Sequence, residues 1–424
     1  MRAIYSVLLL FLLPFALLRL LWRSWRDARY RRRWSERFGR LPTRCAGELI
    51  WIHAVSVGEV LAAEPLIEAL RGACPACGFH VTTTTPTASA LVSQRLGASV
   101  SHSYLPFDLT FCVNRFMDRL QPTLALFVET EIWPNLLHAC RARGIDVSLV
   151  NARLSECAQR RYAGWPRLTA ATLGCLTGIG AQTDADAERF IRLGAARERV
   201  CVTGNLKFDR LPAAGARADA RDWRRRWGES RRVWIAASVH DDECEQVIDA
   251  FSILRASHPD LFLCLAPRHP ERTPAIAGSG LKTCDYSTAG DRLDDVDVLV
   301  VDVLGALDAL YQAADVAFLG GSLVAHGGQN PIEALAAGVP VAHGPHLWNF
   351  LEIYRALDAA GAAREVTDGA DLVRVIDAWL KDPAARLHAV EAGRVELEAR
   401  RGAVGRTLGM LRVLGYAGVL RGTN

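Results

Sequence analysis

From Leu49 onward, short β-branched and apolar runs alternate with stretches patterned for helices, and this alternation restricts the fold more than any other feature of the chain. Leu49-Ile-Trp-Ile-His53 leads toward a helix from Glu59, Phe79-His-Val-Thr82 toward one near Thr87, and Leu124-Ala-Leu-Phe-Val128 toward one near Pro134. Runs apolar on both faces and separated by helices predict parallel strands with helices packed above and below. Residues 211–218, Leu-Pro-Ala-Ala-Gly-Ala-Arg-Ala, read as a linker, and the pattern then restarts with Val233-Trp-Ile-Ala-Ala237, Leu261-Phe-Leu-Cys-Leu-Ala266, Val298-Leu-Val-Val301 and Val316-Ala-Phe-Leu319. The expected architecture is α/β: two Rossmann-like domains with a cleft between them, over residues 25–211 and 212–424. A helical tail from about Asp371 to Leu420 packs over the second domain or crosses back to the first. Ligands of open parallel sheets sit beyond the carboxyl ends of the strands, so the chemistry is sought in the loops that follow them.

Residues 1–24 precede this pattern as a separate element. Ile4 to Leu18 are nearly all apolar, and Arg19, Arg23, Arg26, Arg29, Arg31, Arg32, Arg33, Arg37 and Arg40 follow against only Asp27 and Glu36. A bilayer span needs roughly 20 apolar residues, so the run is of marginal length. No small-x-small cleavage site follows, and the arginines lie after the apolar core rather than before it, which disfavours a signal peptide. The expectation is an uncleaved anchor in the inner membrane that either spans it or dips into the anionic inner leaflet, with the remaining chain on the cytoplasmic face. A buried amphipathic helix of the first domain is the alternative.

Composition excludes some classes. With half the residues apolar and 23% charged, extensive disorder is excluded. A net charge of only +4 gives no ground for a nucleic-acid partner. Eleven cysteines scattered along the chain read as reduced core thiols rather than a disulfide framework. Cys74-Pro-Ala-Cys77 is a CxxC with no second pair at zinc-ribbon spacing, so no metal or cofactor is expected.

Five loops carry candidate chemistry. Ser56-Val-Gly-Glu59 places Glu59 at a helix start, where it is either a general base or a first-turn acid that complements the helix dipole. Glu129-Thr-Glu-Ile-Trp-Pro-Asn135 sets two carboxylates at a strand end, for catalysis or for capping. Gly204-Asn-Leu-Lys-Phe-Asp209 offers Lys207, one of only three lysines, to offset negative charge. Leu265-Ala-Pro-Arg-His-Pro270 offers Arg268 for a phosphate, with His269 ambiguous beside it. Residues 320–340 combine Gly320, Gly321, Gly327 and Gly328 with Asn330, Pro331 and Glu333, a pattern suited to holding an anion at a helix start with an acid near ribose hydroxyls.

The chain resembles the Kdo transferase family of lipopolysaccharide synthesis, of glycosyltransferase-B architecture. The resemblance runs through Tyr30-Arg-Arg-Arg-Trp-Ser-Glu-Arg-Phe-Gly39, His53-Ala-Val-Ser-Val-Gly-Glu59, Val81-Thr-Thr-Thr-Thr-Pro-Thr87, Tyr104-Leu-Pro-Phe-Asp108 and Glu129-Thr-Glu-Ile-Trp-Pro-Asn135. It continues through Asn151-Ala-Arg-Leu-Ser155, Gly204-Asn-Leu-Lys-Phe-Asp209, Pro267-Arg-His-Pro-Glu-Arg272 and Asn330-Pro-Ile-Glu333. It implies Glu59 as the base, Glu129 and Lys207 as stabilisers of the transition state, and Pro267, Arg268, Leu304, Gly305, Ala306, Asn330, Pro331, Ile332 and Glu333 as the CMP site. It also implies a CMP-Kdo donor, a lipid IVA acceptor and an inverting, metal-independent transfer that releases CMP. Ala306 stands where the family usually has Glu, and Ala325, His326 and Gln329 also depart from its pattern, so those three carry no assigned role. An epimerase or another nucleotide-sugar transferase, and a membrane-tethered scaffold without activity, are the rival readings.

Overall fold

The computed structural model describes residues 1–41, 47–210, 216–270 and 280–416. The chain divides into two compact units, residues 1–210 with 400–424, and residues 211–399.

The first unit is built on a seven-stranded sheet of β1 (Leu49–His53), β2 (Gly78–Thr83), β3 (Ser101–Tyr104), β4 (Leu124–Val128), β5 (Asp146–Ala152), β6 (Gly178–Ala181) and β7 (Val200–Val202). Their order is β3-β2-β1-β4-β5-β6-β7, and every pairing is parallel. β1 and β4 are buried at every position, which is why their side chains run apolar without alternation. Helices cover both faces. Val60, Ala63, Leu66, Ile67 and Leu70 of α2 (Val57–Ala73; α1 is Arg2–Arg26) pack on one side, and Phe116, Leu136 and Leu137 pack on the other. α3 (Pro134–Ala142) begins at the proline predicted to open it.

The second unit repeats the plan. Its strands are β8 (Val233–Val239), β9 (Phe262–Pro267), β10 (Thr283–Asp285), β11 (Val298–Val300), β12 (Val316–Leu319), β13 (Val341–His343) and β14 (Ala363–Glu365), in the order β10-β11-β9-β8-β12-β13-β14, again all parallel. The two predicted α/β domains are thus present, each with its own core.

Three expectations are revised. The second domain does not extend to residue 424. The helix Ala403–Val413 returns to the first unit, where Ala403, Met410, Leu411 and Tyr416 join the α2 face of the core. Asp209 accepts from the amides of Gly402 (2.7 Å) and Val404 (2.6 Å) and so holds the start of that helix. Of the expected linker, residues 211–215 lie outside the described residues, and Ala216 onward is already helix Ala216–Trp227. Finally, the cysteines are not all reduced, because Cys74 and Cys77 are joined in a disulfide at the end of α2.

Candidate active site

Doubly wound sheets open a crevice where strand order reverses. In the first unit that point lies between β1 and β4, the two strands followed by Glu59 and Glu129.

Glu59 sits in the first turn of α2 and folds back over the turn that precedes it. Its Oε2 accepts from the Val55 amide (2.6 Å) and its Oε1 from the Ser56 hydroxyl (3.1 Å), a variant of the capping box written as Ser-x-x-Glu. The first-turn reading holds, because the side chain finishes the helix start, and it also places a carboxylate at the switch point. Burial, and then the negative charges of Glu129 and Glu131, push its pKa up to about 8, against the two hydrogen bonds that favour the ionised form. That value suits a group that must take a proton near neutral pH.

Glu129 has φ +62°, a left-handed backbone that a side-chained residue adopts at a cost of about 1–3 kcal/mol. Its amide donates to Val150 O (3.0 Å), and its Oε1 accepts from Lys207 Nζ (3.0 Å). Lys207 rides on the turn Leu206–Asp209, which is fixed from several sides. Asn205 Oδ1 accepts the Lys207 amide (3.0 Å), Asn151 Oδ1 accepts the Leu206 amide (2.9 Å), and Asp209 is tied to the C-terminal helix. Glu131 accepts from Trp133 Nε1 (2.6 Å) and lies 3.5 Å from the Nε2 of His53, a buried ring at the end of β1 whose Nδ1 meets Thr82 Oγ1 at 2.9 Å. Thr130 reaches the Arg153 carbonyl with its hydroxyl. The structure thus brings Glu59, Glu129 and Lys207 into one electrostatic group.

In the second unit the order reverses between β8 and β12, so the loops after those strands share the switch point. Gly320 is required there by packing, since a Cβ would lie 2.6 Å from Ser238 O and from Val239 Cα. The amides of this glycine-rich loop do not stand ready for an outside anion, as the sequence suggested. Those of Gly321 (2.5 Å), Ser322 (3.0 Å), Leu323 (2.8 Å) and Val324 (3.3 Å) donate to the carboxylate of Glu243, which also accepts the His240 amide (3.2 Å). Glu243 is completely buried, so an internal carboxylate fills the nest.

The other residues expected at the donor site lie in the same unit. Pro267 ends β9, and Arg268 follows with its amide on Val239 O (2.8 Å) and its side chain exposed. Leu304 is exposed, Gly305 has φ +88°, and the Ala306 methyl is buried as the next helix begins, so this loop presents backbone rather than a polar side chain. Asn330 Oδ1 accepts from the Ile332 amide (3.3 Å), Pro331 and Ile332 are buried, and Glu333 is half-buried. The helix they open, Ile332–Ala336, has only five residues, so its dipole is far weaker than the sequence pattern implied. Glu271 and Arg272 of the Pro267 motif lie outside the described residues.

Residues 32–210 match the family described as 3-Deoxy-D-manno-octulosonic-acid transferase (kdotransferase), and residues 233–396 match glycosyl transferases group 1. A 3-deoxy-D-manno-octulosonic acid transferase of Haemophilus influenzae is 37% identical over 97% of this chain and 98% of its own length. One of Bordetella pertussis is 39% identical over the same shares. The chain belongs to the Kdo transferase family. As a Kdo transferase it is a glycosyltransferase enzyme of lipopolysaccharide biosynthesis. Among solved structures, UDP-GlcNAc 2-epimerase from Neisseria meningitidis shares the fold, with a TM-score of 0.60 at 14% identity over 87% of this chain and all of that one. The epimerase likeness is one of architecture alone.

Two residues that hold these candidate loops were not singled out from the sequence. Glu243 lies in Asp241-Asp-Glu-Cys-Glu245, where nothing distinguishes it from the exposed acids around it. Asn151, at φ +53°, carried a signal, because asparagine tolerates the left-handed region better than most residues. Two clusters among the described residues have metal-ligand chemistry. The sulfurs of Cys74 and Cys77, near Glu48, are consumed in their disulfide. His240 and His326, near Asp242, stack at 3.8 Å and 11°, so their in-plane lone pairs run side by side rather than converging.

The first helix, over Arg2–Trp25, is long and apolar enough to cross a membrane by length and composition.

Proposed function

We propose that this Kdo transferase moves Kdo from CMP-Kdo to the lipid A precursor lipid IVA by direct displacement with inversion at the anomeric carbon, releasing CMP and using no metal ion. Glu59 carries the reading: a carboxylate at a sheet switch point whose proton affinity is raised to the range of a base at neutral pH. The acceptor hydroxyl oxygen forms the new bond to the anomeric carbon and its proton passes to Glu59. The bond from that carbon to the phosphate oxygen breaks, and its electron pair leaves with CMP.

Lys207 supplies positive charge for the negative charge that develops, and Glu129 holds the Lys207 ammonium in place at 3.0 Å. CMP binding falls to the second unit. There Arg268 grips phosphate, the backbone of Leu304, Gly305 and Ala306 borders the nucleotide, and Pro267, Asn330, Pro331, Ile332 and Glu333 complete the pocket, with Glu333 accepting from ribose hydroxyls. Because Glu243 occupies the amides of residues 321–324, phosphate recognition rests on Arg268 rather than on the glycine-rich loop.

The test is a purified-enzyme reaction with CMP-Kdo and lipid IVA, followed by mass spectrometry of the lipid and assay of free CMP. The expected outcome is a Kdo-bearing lipid with one CMP released per sugar added. Hydrolysis of CMP-Kdo without a lipid product would overturn the acceptor assignment.

A further inference from the structure

We infer that α1 lies flat within one leaflet of an anionic bilayer, against the first unit, and does not cross the membrane. Both ends of the helix are tied to the same unit. Near its start, Tyr5 donates its hydroxyl to Asp108 Oδ2 (2.9 Å), and Ser6 pairs with the Asn135 side chain (3.0 Å). Just beyond its end, Arg33 donates to Ser89 Oγ (3.1 Å) and to the His102 carbonyl (2.8 Å), and Arg37 donates to the Thr84 carbonyl (2.8 Å). Twenty-five residues of helix measure about 37 Å at 1.5 Å per residue. A helix crossing roughly 30 Å of hydrocarbon would carry Tyr5 to the side opposite Arg33, where Asp108 could not follow.

The exposure pattern agrees along the whole length. Tyr5, Ser6, Leu9, Leu13, Ala16, Leu17, Leu20 and Arg23 are half-buried and Ser24 is buried, and at helical spacing they form one stripe. The opposite stripe, Phe11, Phe15, Leu18, Trp22 and Trp25, is exposed, with Phe11 at 73% and Trp25 at 82%. A helix bedded in an interface turns one apolar face toward lipid, and here the first unit shades the opposite face. Among the arginines from Arg19 to Arg40, the exposed Arg19, Arg31, Arg32 and Arg40 supply the charge that an anionic headgroup layer attracts.

Asp108, which Tyr5 grips, also accepts the amides of Asn135 (3.0 Å) and Leu136 (2.8 Å) at the start of α3. On the transferase reading, the leaflet surface is thereby brought to the segment that leads out of Glu129 and Glu131, where a lipid acceptor must arrive.

The test uses the full chain with a short hydrophilic epitope fused before Met1, in sealed inverted and right-side-out membrane vesicles treated with an external protease. Labelling of the exposed Cys157 by a membrane-impermeant maleimide marks the side on which the first unit lies. The expected result is loss of the epitope and labelling of Cys157 in the same vesicle orientation. Loss of the epitope only in the orientation that protects Cys157 would overturn the inference. Neither readout depends on activity, so a failure of the proposed transfer reaction leaves this result separately interpretable.

Discussion

Replacement of Glu59 by Gln lowers kcat by about 10²- to 10⁴-fold, the usual contribution of a general base, and leaves CMP affinity unchanged. The substitution is informative because Gln keeps the length and the acceptor oxygen of the side chain. Its oxygen can still accept from the Val55 amide (2.6 Å), and its NH2 can donate to the Ser56 hydroxyl oxygen (3.1 Å) where the carboxylate accepted, so α2 still starts as it does now. Alanine would mix the loss of the base with an unpaired amide worth about 1–3 kcal/mol. Turnover measured beside CMP calorimetry separates the two contributions. A Gln variant with undiminished turnover would remove Glu59 from the chemistry.

The second large effect is structural. Glu243→Ala strips five backbone amides, those of His240, Gly321, Ser322, Leu323 and Val324, of their common acceptor in a fully buried site. Each buried orphan costs about 1–3 kcal/mol, reduced by relaxation of the loop and entry of water, so a loss on the order of 3–5 kcal/mol is expected. For a unit of this size that lowers the melting temperature by roughly 10 °C. CMP affinity falls with it, because residues 330–333 hang from the same loop. Thermal unfolding followed by circular dichroism, with and without CMP, checks both effects; an unchanged melting curve would mean that the loop holds its shape without Glu243.

The division between what could and could not be read from the chain follows from burial. Central strands such as Leu124–Val128 and Val316–Leu319 are covered on both faces, so their side chains are apolar throughout and announce themselves. Short strands at or near the sheet edges, Val200–Val202, Thr283–Asp285 and Ala363–Glu365, keep three residues with exposed positions and carry no such run. The sequence leaves the return of the C-terminal helix open because its apolar stripe suits either unit. Asp209 and the α2 face decide it through contacts distant in sequence.

At the site, the strand-end carboxylates and Lys207 were legible because their loops must follow the strands. Their mutual influence was not. The raised proton affinity of Glu59 comes first from its burial and then from the charges of Glu129 and Glu131 close in space, and the anion for the glycine-rich loop proved to be Glu243, about eighty residues earlier in the chain. Sequence spacing shows that a nest of amides needs a negative charge, but not that the protein already supplies one.

The most direct test of a Glu59 base tuned by its neighbours is the pH dependence of kcat/KM for the wild-type enzyme and for Glu129→Gln. The wild type should gain activity as pH rises through about 8, where Glu59 loses its proton. Removing the Glu129 charge eases that ionisation, so in the variant the rising limb should move to lower pH even as the maximum falls. A limb at the same pH in both enzymes, or activity that falls across this range, would contradict the account.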